Sequence, residues 1–129
     1  MKKHLLTLIL TLLAANASAE WQSIGENATQ TAYVDAANIQ HGKHNTMWGL
    51  FDLKAPRTLG NISYLSMKIQ REYSCHNKKS RIIARSAHAD NMGAGEIIYS
   101  DHTPDKWMII QPDSAEAALW NIACDKKPQ

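Results

Sequence analysis

Leu65-Ser66-Met67-Lys68-Ile69-Gln70-Arg71-Glu72-Tyr73-Ser74-Cys75 alternates in side-chain character along its whole length. Leu65, Met67, Ile69, Tyr73 and Cys75 fall on one parity, and Ser66, Lys68, Gln70, Glu72 and Ser74 on the other, with Arg71 breaking the apolar row. Successive side chains of a strand point to opposite faces. Period-two alternation of this length therefore predicts an antiparallel strand with one buried and one wet face. Cys75 falls on the buried face, where a bridge to it would be protected.

Reading outward, His76-Asn77-Lys78-Lys79 is a polar turn and residues 81–88 read as the returning strand. Residues 31–35, 45–53, 95–100 and 106–111 are further strand candidates. In 45–53 both parities carry bulk, Trp48 and Leu50 on one and Met47, Phe51 and Leu53 on the other, which predicts a central or doubly covered strand. Residues 55–60 and 90–95 read as loops.

The chain end changes period. After Pro112, either Asp113 or Ser114 can cap a helix, and Asp113 with Glu116 has the spacing of a capping box. Residues 115–124 contain good helix formers and no Gly or Pro. Trp120 and Cys124 share one stripe, Leu119 and Ile122 another, and only Glu116 and Asn121 interrupt the apolar surface, so a largely buried helix is expected. A helix of about ten residues is marginal alone in water and needs the sheet beneath it.

Cys75 and Cys124 are the only cysteines. In an oxidising compartment two cysteines most simply form one bridge, whereas a reactive pair would favour the C-x-x-C spacing that is absent here. Closing a loop of about 50 residues gives about 4 kcal/mol in the chain-entropy model. The expected fold is α+β, a single antiparallel β-sheet with a C-terminal α-helix packed on one face and tied to it by the Cys75–Cys124 disulfide.

The compartment is read from the start of the chain. Lys2 and Lys3, an apolar run over residues 5–13 and Ala17-Ser18-Ala19 make a cleavable export signal, with the mature chain expected from Glu20. The alternative, a membrane anchor, needs about 20 apolar residues. Residues 1–19 are therefore expected as a signal peptide and 20–129 as one domain, with no membrane span and no cysteine at the cleavage site to carry a lipid. Removing Lys2 and Lys3 leaves twelve Lys/Arg against twelve Asp/Glu, so no global field draws nucleic acid or anionic membrane.

Motifs of catalysis are missing: there is no G-x-S-x-G, H-E-x-x-H, P-loop or dinucleotide fingerprint. His41 and His44 are three apart beside Gly42, a spacing that could place two imidazoles on a metal, but a polar turn with solvated histidines explains them as well. His88 with Asp90, and Asp101-His102 with Asp105, could each orient an imidazole by a carboxylate. The expectation is no catalytic residue, no metal ligand and no cofactor.

Two features suit partner binding. Lys78, Lys79, Arg81 and Arg85 cluster at and after the turn, a local basic patch for acidic protein segments or sulfated glycans. Trp48 and Trp120 sit on elements with more apolar surface than one core needs, so either can anchor a partner or a second copy.

Trp21, Tyr33-Val34-Asp35, Ile39, Met47-Trp48, the strand ending at Cys75, Arg81, Gly93, Trp107, Pro112-x-Ser114 and Cys124 resemble, in this order, the surface-adhesin protein E-like domain family of Gram-negative bacteria. The resemblance covers nearly all of residues 20–129. It implies the same sheet, helix and disulfide, a protein partner of extracellular-matrix type, and a homodimer. It also implies heme binding as an alternative to adhesion. One departure is that the name-giving adhesin is lipid-anchored. The reading is an exported non-enzymatic binding protein of periplasm or cell surface; the alternative is a periplasmic carrier of a small ligand such as heme.

Overall fold

The alternating stretch becomes most of a longer strand in the middle of a sheet. The computed structural model describes residues 19–125, so the expected signal lies, apart from Ala19, outside the described residues. The strands are β1 (Gln22–Glu26), β2 (Gln30–Val34), β3 (Asn45–Leu59), β4 (Ile62–Ser74), β5 (Lys79–His88), β6 (Ile97–Asp101) and β7 (Met108–Ile109), followed by α1 (Ala115–Ala123). Short helical turns occupy Ala36–Asn38 and Asn91–Gly93. Strands β1 to β6 pair in sequence order, each antiparallel to the next, and β7 pairs with the start of β5.

Residues opposite one another in a ladder share a face, so the register sorts the side chains. Asn45↔Tyr73, Met47↔Arg71, Gly49↔Ile69 and Phe51↔Met67 put one set toward α1. There Val34, Met47 and Tyr73 meet Trp120, Ala123 and Cys124 in the main core. The Cys75–Cys124 bridge joins the helix end to the sheet across a Cα–Cα distance of 5.5 Å. A second cluster joins Leu53, Tyr64 and Ala87, with Met67 and Ile98 packed against it. Strand β3 lies between β2 and β4, the central position that its bulk on both parities demands.

Several expectations are corrected. Residues 55–60, read as a loop, continue β3 into a long hairpin: pairing jumps from Asp52↔Ser66 to Arg57↔Tyr64, five steps along β3 against two along β4. Pro56 falls inside this bulge, where no ladder hydrogen bond is asked of it. Strand β1 went unread because all five of its residues are exposed and it carries no apolar period. The segment 106–111 shrinks to the two residues of β7.

The helix is less buried than expected, and of its two candidate caps one is used. Its cap is Ser114, whose hydroxyl accepts from the Ala117 N–H at 3.0 Å, while Asp113 turns left-handed at φ 60° just before it. The Asp113–Glu116 box therefore does not form. Only Trp120 and Ala123 of α1 are buried, because the helix rests on the sheet along one stripe and leaves Ala115, Glu116 and Ala118 in solvent.

Candidate functional site

With α1 on one face, the other face of the sheet is left to carry a hollow. Trp48↔Gln70, Gln70↔Ala84, Lys68↔Ser86 and Ser66↔His88 place Trp48, Lys68, Ala84, Ser86 and His88 on the side away from the helix. They line a hollow of about 850 Å³, walled also by Trp21, which precedes β1, and by Ile39, which follows the first helical turn. Its floor is shallow because Ala84, Ser86 and, on β6, Ser100 are small. His102 and Ile97 stand at the β6 side.

His88 is buried beside this floor. Its Nε2 lies 2.8 Å from the Ser86 hydroxyl, and its Nδ1 has no hydrogen-bond partner among the described residues. Burial first, and then the nearby Lys68 charge, hold its pKa below the ordinary histidine value of 6.5, so the ring is neutral at physiological pH. Asp90 does not pair with it; the Asp90 backbone carbonyl accepts from Ser66 instead, at 2.6 Å.

The basic set divides into paired and unpaired side chains. Arg81 bonds Glu72 through Nε and Nη2, each at 3.2 Å, and its guanidinium lies 4.5 Å over the Trp107 ring. His44 packs edge-on to the same ring at 4.9 Å with Nε2 4.0 Å from Glu72, so it is half-buried and not the solvated turn residue expected; His41 is exposed. Arg85 bridges Asp101 at 3.3 Å and Asp105 at 2.7 Å. Those carboxylates thus serve Arg85, and the Thr103 N–H and hydroxyl lead in holding the Asp101 carboxyl below its ordinary range, with Arg85 helping. Lys78 and Lys79 are exposed and make no ion pair among the described residues.

The two tryptophans separate as well. Trp120 is 6% exposed and donates its indole N–H to the Ser74 carbonyl at 3.0 Å, with the Lys78 ammonium 5.5 Å from its ring. Its surface belongs to the core, which corrects its reading as an exposed anchor. Trp48 is half-buried in the hollow on the opposite face. Among the described residues no group of three His, Cys, Asp or Glu side chains stands close enough to hold a metal ion.

Sequence reasoning missed Trp21, Ile39 and the small floor residues of the hollow. The available signal was faint: Ala84, Ser86 and His88 share a parity on a strand whose partner carries Lys68 and Gln70 there.

The family model described as surface-adhesin protein E matches residues 21–125. No curated protein matches the sequence. Among solved structures, crystal form II of Haemophilus influenzae protein E superposes with a TM-score of 0.67 at 12% identity, covering 85% of this chain and 91% of that one. The protein E structure from non-typeable Haemophilus influenzae gives 0.65 at 13% identity, covering 88% of this chain and 82% of that one. At such identity the likeness is one of fold.

Proposed function

The chain belongs to the surface-adhesin protein E family, and on that premise we propose that it is an exported, non-enzymatic binding protein that engages extracellular proteins of matrix type. Export would remove residues 1–19, leaving a domain of residues 20–129 in the periplasm or at the cell surface. The observation that carries the reading is the hollow on the sheet face away from α1. Two tryptophans, Trp21 and Trp48, wall a broad hollow there, and aromatic side chains in an open concavity are the usual anchors of a protein contact. Lys78 and Lys79 supply the free positive charge, away from the hollow. Arg81 and Arg85 hold the fold around them and contribute through position.

The same face suits a second copy. Ile97 on the edge strand β6 is 58% exposed at the rim of the hollow, and a homodimer closing over it would bury Trp48. The second functional reading, heme in the hollow, rests on its lining. Lys68 offers a cation for a carboxylate, Trp21 and Trp48 a flat apolar wall, and His102 an exposed imidazole, whereas His88 is held by Ser86.

The test is surface plasmon resonance of the exported protein over immobilised matrix proteins and heparin. Saturable binding weakened about tenfold or more by Trp48→Ala is expected, the cost of truncating an aromatic anchor. Absence of binding to every surface, together with a ligand-specific absorbance band on adding heme, would replace the adhesive reading with the carrier reading.

A further inference from the structure

On the helix side, the row of residues facing α1 has a gap at Gly49, between Val34 on β2 and Ile69 on β4. Glycine weakens a strand interior and is usually kept there for a positive φ or a close approach. Neither applies: Gly49 is not among the positive-φ glycines, and an added Cβ would meet only the Tyr33 and Ile69 carbonyl oxygens, at 3.5 and 3.7 Å. What the missing side chain leaves is space. An apolar crevice of about 150 Å³ lies over Gly49, lined by Val34, Met47, Ile69, Tyr73 and Leu119. An apolar cavity of roughly that volume is enough for a benzene-sized group.

The crevice does not end blindly. Arg71 and Glu116 line it and also line a neighbouring groove of about 310 Å³ that runs past Ile82, Met108 and Ile110. From Arg71 on β4 the crevice crosses Gly49 on β3 and Val34 on β2 to reach Ile24 on β1, three interstrand steps or about 14 Å. That length suits an extended chain of about ten carbons. Arg71 is the one break in the apolar row of β4, and it makes no ion pair among the described residues. Glu116 is exposed on the helix and lies beyond ion-pair distance of it.

We propose that the groove between the first turn of α1 and the sheet binds a linear anionic amphiphile, a medium-chain alkyl carboxylate, with its chain over Gly49 and its carboxylate on Arg71. The site lies on the opposite face from the hollow and does not depend on what the hollow binds. It gives Arg71, an isolated cation on the core-facing row, a partner. It also accounts for a glycine that the backbone does not require.

The probe is decanoate, titrated into the folded protein and followed by ¹H–¹⁵N NMR, with decanol as the uncharged control. Saturable shifts at Gly49, Ile69 and Leu119 are expected, with the Trp48 indole N–H and the His88 amide unmoved. Gly49→Leu, which fills the crevice from the sheet, should abolish them. Should that variant not fold, Ala115→Leu plugs the mouth from the exposed helix side and should do the same. Arg71→Gln should weaken decanoate about tenfold, the loss of one charged hydrogen bond, and leave decanol unchanged. The proposal is overturned by an absence of saturable shifts below the micelle concentration, by shifts at the hollow instead, or by unaltered binding in the plugged variants. Binding of an apolar peptide in place of decanoate would make the groove a protein-docking site and likewise overturn it.

Discussion

Trp120 shows how one side chain can answer to the core and to the chain end together. Its ring packs with Val34, Met47 and Tyr73, and its N–H satisfies the Ser74 carbonyl beside the cysteine that ties down the helix. Trp120→Phe keeps most of the apolar area but strands that carbonyl, so a loss of about 1–3 kcal/mol is expected in urea unfolding. His88 supplies a pH dependence. Its folded-state pKa is depressed, so the unfolded chain takes up a proton more readily than the native one. The stability this neutral ring contributes is complete above the unfolded value of 6.5 and is lost as pH falls through it toward the lower folded value. Urea midpoints measured at descending pH should therefore fall below pH 6.5, and His88→Gln should flatten that part of the curve. Equal slopes in both proteins would show that His88 is not the group responsible.

Strands and helix differ in how openly they are written. Strand β4 and its neighbour β5 are legible because polar and apolar side chains alternate along β4 and a polar turn separates the two. The polar parity of β4 is not the wet face expected, since Ser66 is fully buried against Asp90 and Gly93. The helix is legible because its period changes after Pro112. Strand β1 is not, since an all-exposed edge strand needs no apolar pattern and is held by backbone pairing to β2. The far half of the β3–β4 hairpin hides behind Pro56, which reads as a loop until the bulge that accommodates it is seen. The hollow was hidden for a related reason: small residues form its floor, and smallness on a strand has no period of its own. The helix carries two element-scale predictions. Ser114→Ala removes the hydroxyl that caps Ala117 and should cost about 1 kcal/mol. Cys124→Ser frees the helix end from β4 and should cost about 2–5 kcal/mol, the range for a small exported domain. Both are read from thermal or urea unfolding, and a Cys124→Ser protein as stable as its parent would mean that α1 is held by packing alone.

For the whole molecule, the division of faces matters more than net charge. One face of the sheet is covered by α1 and the bridge, the other carries the hollow beside the Asn91–Gly93 turn, and the basic residues are distributed between structural and free roles. Residues 20–129 carry equal positive and negative counts and so have no long-range field, and any electrostatic recruitment must come from local, unpaired cations. Lys78 and Lys79 qualify, being exposed at the β4–β5 turn, whereas Arg81 and Arg85 are occupied by Glu72, Asp101 and Asp105. Charge reversal should separate the two pairs. Lys78→Glu with Lys79→Glu should slow association with an acidic partner and lower stability by no more than about 1 kcal/mol, the worth of the exposed Lys78 cation over Trp120, since exposed turn charges otherwise contribute little. The effect should fade with added salt, because such charges are screened beyond about 8 Å at physiological ionic strength. Arg81→Glu should instead lower stability, as it sets a second carboxylate against Glu72 and removes the cation over Trp107. Association rates and unfolding curves of the same three proteins decide the matter: binding indifferent to both salt and the lysine reversals would leave the tryptophan-walled hollow as the surface that recognises the partner.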